Sequence, residues 1–375
     1  MMDKDNNDLR KKVNKFGILS TYVHLSIGPE ARKKGLKFSK TQLKKSVFLI
    51  IVEGKTDKKF YDNVFNYSNS VVIDLTCGES ASEQERKSQN LFGKTAVQTL
   101  FERSHHIKNP DCHFITRVQK NMALGLIDLD FDKYPSSNDI NYPNLYKPYQ
   151  YLHIFSTETN DLETLFLQYG ILDNLLSEIF KKRKNNSNLS FENFREYVFL
   201  RIKHLNYVFR LATKKYNMSW KHVKLLNLEE ICSFINTSDD SLIESLTALI
   251  FHRDSKNNNN LEIKEKFRKD IAFDSIPIVD LYNTADFTPQ IFLKNKDLIF
   301  CQGHNTMTVL QCMDLLFLHH CISENELFDK IADDCLRNNR FQKTQLYKSL
   351  RRWEDNCYPL KPSRMFTDKL YDLPQ

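Results

Sequence analysis

Residues 46–61, SVFLIIVEGKTDKKFY, constrain the fold more tightly than any other stretch of the chain. Val47, Phe48, Leu49, Ile50, Ile51 and Val52 form one continuous apolar run, rich in β-branched side chains. The run is too short for an amphipathic helix and lacks its period, so it reads as a strand buried on both faces at the centre of a parallel sheet. It stops at a carboxylate, Glu53, followed by Gly54. Thr56 is a good helix N-cap, and Asp57, Lys58, Lys59, Phe60 and Tyr61 open a helix. A carboxylate therefore stands at the C-terminal end of a central parallel strand, where open α/β sheets place their ligands.

Residues 122–132, MALGLIDLDFD, answer the first stretch. The apolar run from Leu124 to Ile127 ends in Asp128, Asp130 and Asp132. In an extended chain residues two apart share a face, so Asp128 and Asp130 point the same way. Two such strands in one sheet bring Glu53, Asp128 and Asp130 together. Carboxylates that close repel, and a hard divalent cation with oxygen ligands relieves the repulsion.

Strand-Glu-Gly followed by strand-Asp-x-Asp resembles the TOPRIM domain of topoisomerases, primases and OLD-type nucleases. VEGKTDKKFY resembles the nuclease branch more closely, and within it the TOPRIM effectors of PARIS-type bacterial anti-phage systems. The resemblance covers residues 46–166, and its motifs are short; their specificity lies in occurring together, in order, on predicted strand ends. It implies an α/β fold with a TOPRIM-like, mostly parallel sheet flanked by helices, Mg²⁺ or Mn²⁺ as cofactor, and phosphodiester hydrolysis by an endonuclease. The implied metal ligands are Glu53, Asp128 and Asp130, with Asp132 ligating or orienting. Asp57, one helical turn beyond Glu53, would hold a second ion. The family carries further acids after its fourth strand; Asp161 and Glu163 match best by position, and Glu158 competes. Simple capping explains these acids equally well, since carboxylates favour helix N-termini. Lys94 and Lys55 are the candidate cations for charge developing on the phosphate. The resemblance further implies tRNA or other RNA as substrate and an ABC-type ATPase partner that restrains the nuclease. A DNA endonuclease of the OLD type and a non-catalytic interaction subunit are the alternatives. Neither the tyrosine domain of a topoisomerase nor the zinc module of a primase is evident.

Composition bounds the rest. With 375 residues, 41% hydrophobic residues and 27 phenylalanines, the chain is long enough for two domains with real cores. Only nine glycines argue against a β-sandwich or barrel, which needs many Gly-rich turns. A net charge of +7, despite the acidic stretches, fits a nucleic-acid partner. Cysteines stand at 77, 112, 232, 301, 312, 321, 335 and 357 with no CxxC pair, the pattern of reduced thiols in a cytoplasmic protein. Cys301, His304, Cys312, His319, His320 and Cys321 match no common zinc spacing, and most of them lie on an apolar helix where Cys is a small hydrophobe. The N-terminus, MMDKDNNDLRKK, has no apolar signal region, and no apolar stretch is long enough to span a membrane.

In chain order the pattern predicts an N-terminal extension over 1–45, mobile or briefly helical at 1–16. A TOPRIM catalytic domain follows over 46–168, with strands at 46–53, 71–75, 122–128 and 151–155 and a polar loop at 79–89. A mainly helical C-terminal region fills 169–375. Gly93-Lys94-Thr95 has the letters of a phosphate loop but not its upstream glycine. Helices are expected at 190–216, 219–236, 240–252 and 306–321, a polar insertion at 257–260, and extended pieces within 276–301. The tail contains two more helices; one carries Lys343, Lys348, Arg351 and Arg352 with Tyr347 and Trp353 interleaved. Basic and aromatic residues together suit a nucleic-acid surface, and a surface helix with a half-buried aromatic side is the commoner case. With Lys181, Lys182, Arg183 and Lys184, these cations are expected to flank the acidic cleft of a homodimer.

Overall fold

The computed structural model describes residues 2–33, 48–65, 70–76, 81–104, 112–128, 153–159, 161–182, 190–195, 198, 199, 202, 206, 262, 263, 265, 266, 303–318, 322–357, 365–367 and 370. Asp130, Asp132, residues 151–152, 183–184, 219–252, 257–260 and 276–301, and His319, His320 and Cys321 lie outside them. The chain divides into two compact units. The first takes in 1–129, 141–158 and 341–375, the second 130–140 and 159–340. Among the described residues no helix is long and apolar enough to cross a membrane.

The first unit is built on a four-stranded, all-parallel sheet in the order β2-β1-β3-β4. The strands are β1 (Phe48–Val52), β2 (Ser70–Asp74), β3 (Ala123–Ile127) and β4 (Ile154–Ser156). All five residues of β1 and of β3 are buried, as continuous apolar runs require in a sheet covered on both faces. Alternate side chains serve two cores. Leu49, Ile51, Val71, Ile73, Ala123 and Ile127 pack against α1 (Met2–Lys33), α4 (Gly93–Ser104) and α5 (His113–Gln119). On the other face Phe48 and Phe155 meet Trp353 edge-on, with centroids 5.5 and 6.0 Å apart. Trp353 belongs to α10 (Gln345–Cys357), and α2 (Lys55–Val64) lies on the same side, where its Phe60 packs on Phe341.

This layering follows from right-handed crossovers. The chain moves from β1 outward to β2, then back across β1 to β3, so the two connections cover opposite faces. The direction reverses at β1, and the crevice for a ligand in such a sheet lies at the C-terminal strand ends beside the reversal.

Two expectations are corrected. The N-terminal stretch is a 32-residue helix whose Phe16, Leu19, Val23, Ile27 and Ala31, spaced three and four apart, form part of the sheet's core. Its charged first turns, rich in Asp, Asn, Lys and Arg, hid that stripe. The polar 79–89 segment contains α3 (Ala81–Ser88), which buries Arg86. That guanidinium lies 3.7 Å over the Tyr22 ring and donates to the Thr76 carbonyl at 2.7 Å.

In the second unit the chain runs through α6 (Leu162–Phe166), a π turn (Leu167–Ile171) and α7 (Leu172–Lys182). It resumes in α8 (Gly303–Leu318) and α9 (Glu324–Arg337). Ser323 and Glu326 form a capping box at the start of α9.

Candidate functional site

The acidic edge of the first unit is assembled by strand register. Val52 of β1 stands opposite Leu126 of β3, so Glu53, one residue beyond Val52, is level with Ile127 and beside Asp128, the next residue of the neighbouring strand end, at the reversal point. They touch: the Asp128 amide donates to Glu53 Oε1 at 2.7 Å. Asp57 Oδ2 accepts from the Gly54 amide at 2.8 Å and so closes the first turn of α2. Glu158, two residues past β4 and buried, accepts from the Gln345 amide at 2.9 Å and the Leu346 amide at 3.0 Å. Its two oxygens thus cap the N-terminus of α10, where a carboxylate meets both unpaired N–H groups and the favourable end of the helix dipole.

One buried phenol reports these four acids together. Burial pushes the Tyr61 hydroxyl well above the usual phenol pKa, and the charges of Asp57, Asp128, Glu158 and Glu53 push it further. Tyr61 stands four residues after Asp57 on α2, hence on the same helix face. The motif by itself assigns Tyr61 no role; its i, i+4 spacing from Asp57 is the available signal.

The other candidates are placed as follows. Lys94 lies half-buried in the first turn of α4, and Lys55 is exposed at the first position of α2. In the second unit Asp161 is the N-cap of α6: Oδ1 accepts from the Thr164 amide at 3.0 Å, and Oδ2 accepts from the Gly303 amide at 2.5 Å. Glu163, half-buried in the first turn of α6, lines the same close approach of Gly303. His304 is exposed and pairs with Glu324, while Cys312 is fully buried within α8. On α10, Tyr347 and Trp353 turn into the core and Arg351 pairs with Glu354 and Asp355. Lys343, Lys348 and Arg352 stay exposed.

The donors at the edge are all carboxylate oxygens, which suits a hard cation such as Mg²⁺ or Mn²⁺ rather than a soft one. Among the described residues no three His, Cys, Asp or Glu side chains gather closely enough to hold a metal ion. Glu53 and Asp128 form an adjacent pair, and Asp130 lies outside the described residues. Set against protein-family models, curated proteins and solved structures, the chain matches none.

Proposed function

We propose that the chain is a TOPRIM-type endonuclease that hydrolyses phosphodiester bonds with Mg²⁺ or Mn²⁺ at the acidic edge of its parallel sheet. The observation that carries this reading is the meeting of Glu53 and Asp128 across two adjacent strand ends, through the 2.7 Å bond from the Asp128 amide. Glu53, Asp128 and Asp130 would hold the ion, with Asp132 ligating or orienting. Bound there, the ion supplies Lewis-acid polarisation of the phosphate and a water of lowered pKa. The chain's own residues supply the rest. The Asp128 amide fixes the rotamer of the Glu53 carboxylate. Asp57, bound to the Gly54 amide, holds the turn that aims Glu53, and would serve a second ion. Lys55, directly after that turn and exposed, is the better placed of the two lysines to meet a phosphate; Lys94 is the other. Asp161 and Glu163 act as helix-start residues of the second unit in this reading.

The wider reading follows the sequence resemblance. The enzyme is a toxic anti-phage effector that acts in the cytoplasm on tRNA or other structured RNA, works as a homodimer, and is restrained by an ABC-type ATPase. Retention of both Glu53 and Asp128 supports catalysis over a purely docking role. The test incubates purified protein with tRNA, single-stranded DNA and plasmid in Mg²⁺, Mn²⁺ or EDTA. Cleavage with metal and none in EDTA is expected, with Glu53→Ala and Asp128→Ala inactive but folded. Wild-type activity in either variant removes the site assignment.

A further inference from the structure

The helices α2 and α10 cover one face of the sheet and share an apolar underside. Phe60 of α2 packs edge-on against Phe341 at 5.3 Å, and Phe341 packs on Tyr347 of α10 at 5.6 Å. Both helices begin at the acidic edge, α2 directly after Glu53 and Gly54, and α10 with its first amides on Glu158. Their outward sides are cationic. Among the described residues of α2, the turn at 341–343 and α10, the exposed charged side chains are Lys55, Lys59, Lys343, Lys348, Arg352 and a single acid, Asp355. Lys348 and Arg352 stand one turn apart, about 6 Å along the helix. The opposite face is mixed: among the described side chains of α1 and α4 the exposed charges are Arg32, Lys33 (paired with Glu30) and Glu102.

The geometry points to this α2–α10 face as the grip for the nucleic-acid backbone, with phosphates running over Lys348, Arg352 and Lys343 to Lys55 at the mouth of the acidic edge. The inference rests on the endonuclease reading for its substrate class and goes beyond it by naming the surface. The electrostatics require such a surface. An edge carrying Glu53, Asp57, Asp128 and Glu158 repels a polyanion, and cations standing close beside it offset the repulsion and raise the local substrate concentration. Arg351 takes no part, because Glu354 and Asp355 hold it.

The test measures anisotropy of labelled tRNA, single-stranded DNA and duplex DNA in EDTA, where binding is read without cleavage. The variant K55E/K343E/K348E/R352E is compared with wild type, with Glu53→Ala, and with K87E/K120E, whose lysines are exposed on other elements. The milder K348Q/R352Q guards against misfolding of the fourfold variant, and circular dichroism checks both. Wild type should bind with steep salt dependence. The fourfold variant should lose affinity at least tenfold and flatten the log–log salt slope by about 3, at 0.7 to 0.9 per lost phosphate contact. K348Q/R352Q should lose about half of that slope, K87E/K120E should keep wild-type binding, and Glu53→Ala, which removes one repelling charge, should bind no more weakly than wild type. Equal losses in K87E/K120E, unchanged binding in the folded variants, equal affinity for polyglutamate, or no wild-type binding at about 50 mM salt would each overturn the inference. The two readings separate cleanly: loss of cleavage in Glu53→Ala with unchanged binding in the fourfold variant keeps the metal site and removes the surface.

Discussion

At the scale of single residues, two positions carry more than their size indicates. Gly125 sits in the middle of β3, where glycine weakens a strand. The reason is α4: a Cβ at Gly125 would stand 2.8 Å from Val97 Cγ1 and 2.9 Å from Phe101 Cε2. The helix presses on the strand that delivers Asp128, so bulk at Gly125 moves the site as well as the core. Gly125→Val should destabilise the fold by roughly 1–3 kcal/mol in urea unfolding, the usual cost of overpacking. Tyr61 is the second. Burial, and the charges of Asp57, Asp128, Glu158 and Glu53, keep this phenol protonated beside the acidic edge. Tyr61→Phe preserves the ring and removes the donor. Its expected effect is a change in Mn²⁺ affinity by calorimetric titration with little change in melting temperature, since the ring keeps its packing on Phe60 and Phe65. An unchanged Mn²⁺ isotherm would assign Tyr61 to packing alone.

At the scale of elements, α10 is attached to the sheet by one carboxylate and one indole. Glu158→Ala leaves the Gln345 and Leu346 amides without their acceptor in a buried place. The expected cost is about 1–3 kcal/mol for each amide left unsatisfied, read from the urea midpoint. Glu158→Gln, which keeps one acceptor oxygen, should recover part of it. Trp353→Ala should cost about 3–5 kcal/mol, since the indole touches Phe48, Phe155 and His153 at once. A second attachment is electrostatic. Lys58 of α2 bridges Glu30 of α1 at 3.0 Å and Asp62 at 2.7 Å. Burial alone would lower the Lys58 pKa, but the hydrogen bonds it donates to Asp62 and Glu30 more than offset it and hold it above 10.5. Burial likewise would raise Glu30, but its bonds with Lys33 and Lys58 hold it below 4.5. The signs follow. The Glu30 contribution is present above pH 4.5 and is lost as pH falls through the depressed folded value. The Lys58 contribution is present below pH 10.5 and is lost as pH rises through the raised folded value. Lys58→Met should therefore lower the melting temperature most between these limits and converge on wild type beyond them.

At the scale of the whole molecule, the first unit is closed by both ends of the chain. Its four strands are complete by Ser156, yet α1 covers one face and α10 the other. A fragment of residues 46–168, the span the motifs define, lacks the partners of Phe48, Ile73 and Phe155 on both faces. Such a fragment should show no cooperative unfolding transition and should expose apolar surface to a hydrophobic dye. Adding residues 1–45 and 341–375 back through linkers should restore the transition. A well-folded 46–168 fragment would mean that the sheet needs neither helix.

The strands and the acids that end them were readable in the sequence, because a strand buried on both faces must be apolar at every position and that demand is met within five residues. Phe48 to Val52 and Ala123 to Ile127 declare themselves, and Glu53 and Asp128 mark where burial stops. The helix carrying Lys348 and Arg352 was readable by its period, although Lys343, expected on it, belongs to the turn before it. What the tertiary structure alone decided is which element meets which. The order β2-β1-β3-β4 makes Glu53 the neighbour of Asp128, and no local pattern states that pairing. Glu158 looked like a site acid because its partners, the amides of Gln345 and Leu346, are backbone groups 187 and 188 residues away that every sequence possesses. Tyr347 and Trp353 suited a binding surface and, more commonly, a half-buried aromatic side; the meeting of α10 with the sheet decides for burial. Local burial is written in side-chain polarity; long-range partnership is set by the packing of the entire chain, and only the folded molecule expresses it.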